Sequence, residues 1–298
     1  MLAIIIPFYK LTFFEATLQS LAHQSDKRFK VYIGDDASPE DCTTLLQKFE
    51  GQFDFIYHRF ETNLGGISLT QQWERCIVLS EDEEWLMILG DDDILGDNVV
   101  DEFYKSKQGL DKERVNVFKL ASVIINETGK PISKIYKHPS REKASNAYWK
   151  HYKGESRSSL SEYIFRRSSY NENKFTNFPL AWHADDKAWL DFSQDGILFG
   201  CNEAIVQVRL SSENISGRND NITLKRKARM LFLEDIIRFK WDYFTNPQRN
   251  VFLFDFGILI KENKEITFKR VFLVFYKFCF MGCFYDAFRF IRRIYWIK

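Results

Sequence analysis

Acidic residues carry the most specific chemical signal in this chain. Asp35 and Asp36 stand side by side, Asp91, Asp92 and Asp93 form a run of three, and Asp185-Asp186 form a second pair. Consecutive carboxylates repel one another, and a globular chain avoids such a run unless a cation or a donor-rich ligand offsets the cost. A hard divalent ion is the natural offset. Mg2+ or Mn2+ takes one or two carboxylates together with the oxygens of a substrate diphosphate. Neither a Walker lysine loop nor a GxGxxG fingerprint is present, so the phosphates would be held chiefly by the metal and not by a glycine-rich nest. Arg209, just ahead of Ser211-Ser212, could reach a diphosphate or could be a surface arginine. His183 has no second His or Cys at ligand spacing, so it reads as a loop or acceptor-side residue and not as a metal ligand.

These residues need elements to position them. Leu2–Ile6 is a solidly apolar run closed by Pro7, as in a buried strand. Thr12 to Glu15 has the form of a capping box before a helix, with Leu18 and Leu21 on one face. Residues 29–34 predict a second strand, with Ser38-Pro39 as N-cap and first helical position behind it. A third strand is expected over 53–59, a turn at Asn63 to Gly66, a capping box at Ser68 to Gln71, and a fourth strand over 85–89. Helices alternating with strands at this spacing predict a Rossmann-like, doubly wound, mainly parallel α/β sheet. In such sheets ligands bind beyond the carboxyl ends of the strands. Asp35-Asp36, Asn63 to Gly66 and Asp91 to Asp93 all follow a predicted strand. A helix over 97–108, a strand over 115–125, a helix over 184–192 and a strand over 204–210 continue the pattern. Residues 130–157, rich in Lys, Ser, Tyr and His, read as a flexible loop or a partner-binding insertion. From Thr223 onward the pattern is helical, broken near Asn246-Pro247 and Lys264.

Taken in order, Ile4-Ile5-Ile6-Pro7-Phe8-Tyr9, Asp35-Asp36-Ala37-Ser38-Pro39, Asn63-Leu64-Gly65 and Leu89-Gly90-Asp91-Asp92-Asp93 resemble the successive nucleotide-sugar motifs of family 2 glycosyltransferases. Trp182-His183-Ala184-Asp185-Asp186 resembles the later acidic motif of that family. The resemblance implies a GT-A fold, a uridine-based nucleotide-sugar donor, and inversion at the transferred sugar. It places Pro7, Tyr9, Asp36, Asn63, Gly65 and Asp91 around the nucleotide, Asp92 and Asp93 at Mn2+ or Mg2+, and Asp186 as the base. Trp182, His183 and Asp185 fall on the acceptor side. Two positions depart from the family pattern. Gly90 stands where the first Asp of Leu-Asp-x-Asp-Asp is usual, and Asp185 where Glu is usual. A nucleotide-sugar-binding module without catalysis, hinted at by Gly90, a nucleotidyltransferase that releases pyrophosphate, and a membrane-surface scaffold are the alternatives.

The 298 residues suit one large domain or two small ones, here a catalytic domain over 1–215 and a helical region over 216–298. With 42 basic and 41 acidic residues the chain offers no global argument for a nucleic-acid partner. The charge is uneven, because residues 261–298 hold nine Lys or Arg against Glu262, Glu265 and Asp286. Residues 267–298 also carry twelve aromatics, among them Phe272, Phe275, Tyr276, Phe284, Phe288, Tyr295 and Trp296. Rings interleaved with cations on a helix predict a peripheral membrane contact, with packing onto the body or a dimer contact as the alternative. Five cysteines without paired spacing, no export signal and no long apolar run predict a cytoplasmic or membrane-surface protein, and with the basic tail the inner face of the cell membrane is expected. The family resemblance implies a glycan or lipid-linked acceptor there.

Overall fold

The apolar run at the start of the chain does form a central strand. In the computed structural model, which describes residues 1–212, 214–218 and 220–295, β1 (Leu2–Phe8) is buried at every position except Pro7. It is followed by α1 (Phe14–Ala22), β2 (Phe29–Asp35), α2 (Thr43–Gln47), β3 (Asp54–Arg59), α3 (Leu69–Val78) and β4 (Trp85–Ile88). β1 pairs in parallel with both β2 and β4, and β2 pairs in parallel with β3. Helices cover the inner strands on both faces, which is why β1 and β4 read as unbroken apolar runs, whereas the edge strand β3 is largely exposed.

Beyond β4 the chain adds β5 (Ile94–Leu95), α4 (Val99–Glu113), β6 (Val117–Ile125), β7 (Arg141–Lys143), α5 (Ala144–Tyr152), β8 (Tyr163–Arg166), α6 (Arg167–Asn173), α7 (Ala184–Phe192) and β9 (Ile197–Arg209). The sheet runs β3-β2-β1-β4-β8-β6-β9-β5, with β7 paired to β9. Inserted β8 is antiparallel to β4 and β6, so the parallel set is interrupted once at the centre. β6 and β9 are parallel again. The helical region comprises α8 (Ile222–Phe239), α9 (Asn246–Glu262), α10 (Phe268–Phe280) and α11 (Phe284–Tyr295). Residues 1–177 and 184–218 form one compact unit, and 178–183 with 219–298 form a second.

Several local expectations are corrected. Thr12 does not cap α1, which starts at Phe14 with Phe13 at the N-cap and no side-chain cap. Phe14 is drawn against Phe8, ring centroids 4.6 Å apart, so core packing sets the helix start. Ser38-Pro39 does not open α2. The Ser38 hydroxyl donates to the Tyr9 carbonyl at 2.6 Å and accepts from the Glu40 N–H, which keeps it in the loop. Ser68 does cap α3, accepting from the Gln71 N–H. Residues 130–157 are not a flexible loop throughout, since β7 and α5 occupy 141–152, and Ala144, Ala147 and Tyr148 are buried at helical spacing. α10 and α11 are separated by a break at Gly282, whose φ of 73° suits glycine, and the sequence pattern did not mark it. Trp296 lies outside the described residues.

Candidate active site

Parallel register brings the motifs together. Phe8 pairs with Asp35 and Ile5 with Ile88, so the segments leaving β1, β2 and β4 emerge side by side. Each carboxylate there has its own donors. Asp91 Oδ2 accepts the N–H groups of Tyr9 at 2.8 Å and Lys10 at 2.9 Å. Asp35 accepts from Ser38 N–H, the Tyr57 hydroxyl and Arg59. Asp36 accepts the N–H groups of Leu64 at 2.7 Å and Gly65 at 2.8 Å, and pairs with Arg75. This explains Gly65, since a Cβ there would stand 2.5 Å from Asp36 Oδ2. Asn63 Oδ1 caps the same turn through Gly66 N–H at 2.6 Å.

The run of three does not converge on one point. Asp93 is buried and accepts the Arg209 N–H at 2.9 Å, so the expectation that it sits beside Asp92 on a metal is not what its bonding favours. Asp92 is half-buried, and the one side-chain donor it receives among the described residues is Asn214 Nδ2 at 3.3 Å. Burial pushes all three carboxyls above the ordinary carboxylate range, Asp91 and Asp93 to about 7, with the Asp92 charge adding to both. A carboxylate with oxygen to spare, in a place where negative charge is costly, is the donor set that suits Mn2+ or Mg2+. Arg209 is neither a surface arginine nor turned outward. It is buried over the Phe13 ring, and its guanidinium donates to the carbonyls of Asp92, Asn126 and Glu127. Its first role is to brace the acidic run. Gly90 is also constrained, because a Cβ would lie 3.0 Å from Asp92 Oδ1 and 3.2 Å from Asp93 Oδ2.

The second acidic pair opens α7, where the helix N-terminus favours negative charge. Asp186 is buried, with His151 Nε2 of α5 at 3.7 Å from its Oδ2. Burial, then the charge of Asp186, pushes the Asp185 carboxyl up to about 8. A cleft beside Asp186 is lined by Lys119, His151, Ser158, Tyr163 and Trp189. Trp189 also packs on Tyr163 at 4.0 Å, so it is core as much as lining. Trp182 and His183 belong to the other unit, where Lys225 lies over the Trp182 ring and His183 stacks on Phe232.

Residues 157–162 connect the two acidic groups, and sequence reasoning missed them. Glu162 is fully buried and accepts from Arg157 Nε at 3.0 Å and Ser159 Oγ at 2.9 Å. Ser161 Oγ accepts the Gly90 N–H at 3.1 Å and holds down the Asp93 pKa. The terminal nitrogens of Arg157 have no hydrogen-bond partner among the described residues, and its charge also acts on Asp93. Buried Lys119 donates to the Arg157 carbonyl at 3.0 Å. A lone lysine in the apolar β6 was a legible signal. Nothing in the spacing of Arg157 and Glu162 was.

Comparison with known proteins now places the chain. Its fold matches Staphylococcus aureus TarS residues 1–349 in complex with UDP-GlcNAc, with TM-score 0.61 at 13% identity, over 98% of this chain and 81% of that one. The same TarS fragment with UDP matches at TM-score 0.54 and 15% identity, over 97% and 89%. GalNAc-T7 with UDP, GalNAc and Mn2+ matches at TM-score 0.56 and 12% identity, over 88% and 56%. Identities this low speak for the fold, which is GT-A. No curated protein matches in sequence. The sequence pattern of glycosyl transferase family 2 matches residues 3–172, more than half of the chain, and the chain belongs to that family.

Proposed function

We propose that this glycosyltransferase transfers a sugar with inversion from a uridine diphosphate donor to an acceptor hydroxyl. The observation that carries the reading is one compact unit holding both acidic groups, the Ser161 hydroxyl accepting the Gly90 N–H just ahead of the first, and the second opening α7 with His151 at 3.7 Å from Asp186. In this reading Pro7, Tyr9, Asp36, Asn63 and Gly65 surround the nucleoside, and Asp91 fixes their loop through Tyr9 N–H. Asp92 would hold Mn2+ or Mg2+, which supplies positive charge to the departing diphosphate. Asp186 takes the proton of the acceptor hydroxyl as its oxygen bonds to the anomeric carbon and the carbon's bond to the diphosphate oxygen breaks. Asp185 stays beside it as a second carboxyl.

The UDP-containing neighbours support the choice of uridine, and the Mn2+ in GalNAc-T7 supports the choice of metal. The acceptor in this reading is a glycan, free or lipid-linked, in surface polysaccharide assembly at the inner face of the cell membrane. Calorimetric titration of UDP with and without Mn2+ tests the donor site, and equal affinity in both conditions would remove the metal role. Product analysis separates the alternatives. Release of nucleoside diphosphate supports glycosyl transfer, release of pyrophosphate supports nucleotidyl transfer, and no turnover with any donor supports a binding module.

A further inference from the structure

The C-terminal helices display what most helices hide. α10 buries Val271, Val274 and Phe278, and α11 buries Ala287, Phe290 and Ile294. Away from these, α10 carries Phe268, Phe272, Tyr276 and Phe280 with exposures of 81, 54, 51 and 69%. Their rings stack in sequence at centroid distances of 5.9, 6.2 and 6.2 Å. Spacing of i, i+4 turns the stripe by only about 40° per step, so the four rings make one band. The band continues onto α11, where Phe288 is exposed and meets Phe275 edge-on at 6.4 Å. Single exposed apolar residues need no account, but a contiguous band marks a binding surface.

Charge decides the occupant. Between residues 268 and 295 the chain has six Lys or Arg and one acid, Asp286, which faces Arg289 at 3.7 Å. Arg270 is taken up by Glu234 and Glu265. Lys269 and Arg292 are exposed and have no acidic partner among the described residues. A second copy of this surface would bring like charges together. An anionic lipid surface satisfies both features, with rings at the acyl boundary and cations at the headgroups. α10 has 13 residues and α11 has 12, and no helix among those described is long and apolar enough to cross a membrane. The geometry is that of helices lying in the interface plane.

We infer that the band formed by Phe268, Phe272, Tyr276, Phe280 and Phe288 docks onto a leaflet rich in anionic headgroups, with Lys269 and Arg292 reading the charge. This surface belongs to the second unit, and the inference does not rest on the roles given to Asp92 or Asp186. The test uses the full chain with sedimentable vesicles of phosphatidylcholine alone or mixed with phosphatidylglycerol. Wild type is expected to sediment with the anionic vesicles at low salt and to lose roughly tenfold in partition at high salt. The triple variant Phe272→Ser, Tyr276→Ser, Phe280→Ser should keep its unfolding midpoint and circular dichroism while losing vesicle binding by about tenfold or more. Lys269→Gln with Arg292→Gln should weaken binding to anionic vesicles only. Three outcomes overturn the inference: wild type left in the supernatant at low salt, a triple variant that binds like wild type, or a wild-type dimer in buffer that the triple variant abolishes.

Discussion

The carboxyl edge of the sheet and the outer side of α10 each tolerate something a globular protein avoids, and they do so in opposite ways. At the sheet edge, negative charge is taken out of water, and nearly every carboxylate receives built-in donors. Asp91 has two backbone N–H groups, Asp36 has two and an arginine, and Asp93 has one. On α10, apolar rings are left largely in water, stacked on one another. The first is a cost met inside the protein, which keeps a site rigid before a ligand arrives. The second is a cost left open, which only an outside surface can meet. A buried arrangement is expensive to alter, whereas a displayed one changes function with little effect on folding.

Substitutions test this contrast, and the largest effect is expected at Asp186. Asp186→Asn should lower turnover by ~10² to 10⁴ while leaving UDP affinity unchanged, because a positioned base acts only on the chemical step. Steady-state rates alongside calorimetry check this, with Asp185→Asn as control. Loss confined to Asp185→Asn would shift the base by one residue. Next comes a pair within α10. Phe278→Ala, at a fully buried position, should cost ~3 to 5 kcal/mol in denaturant unfolding. Phe272→Ser, one face away, should cost less than about 0.5 kcal/mol. Comparable losses at both positions would show that the displayed band is packed in solution.

Asp91→Ala removes the acceptor for two N–H groups and should cost about 1 to 3 kcal/mol in unfolding, with a parallel loss of UDP affinity. A further effect is a pH dependence at Asp185. Its carboxyl is raised to about 8 when folded, so its contribution to stability is fully present below the unfolded carboxylate range and is lost as pH rises through about 8. Asp185→Asn should therefore gain on wild type between about pH 4 and pH 9, by on the order of 1 kcal/mol after allowing for its partial exposure. Unfolding midpoints measured across that range decide it. A gap that is constant with pH would mean that the group is ionised in both states.

How much of this was legible follows from distance along the chain. β1, β2 and β4 could be read because each is a short, mostly apolar run closed by Pro, Asp or Gly, β3 by its place between turn signals, and α7 was placed at its observed limits. β8 was invisible, because Tyr163–Arg166 is four residues whose neighbours in the sheet lie far away in sequence. α5 was missed for a different reason. Its inward positions Ala144, Ala147 and Tyr148 are sparse among Lys, Ser and His, which hide a weak helical period. At the candidate site, residue types pointed correctly to acidic strand ends, but not to which oxygens remain available. Asp93 and Arg209 have the composition of ligand-binding groups, and only the structure shows their bonding turned to each other's backbone neighbourhood.

The short segment carrying Ser161 and Glu162 has a thermodynamic consequence. Asp93 senses Arg157 and Ser161, Arg157 is held by Glu162, and the Glu162 charge raises the Asp185 carboxyl. On the proposed reading, a diphosphate arriving near Asp92 would change the field at the first of these groups, and the groups that follow would feel the change through their charges. Donor occupancy and protonation beside Asp186 are then linked quantities, and linkage is reciprocal. The proton inventory at the acceptor end and the affinity at the donor end become two readings of one free energy. On the proposed roles, readiness to accept a proton would then depend on whether there is yet a sugar to transfer.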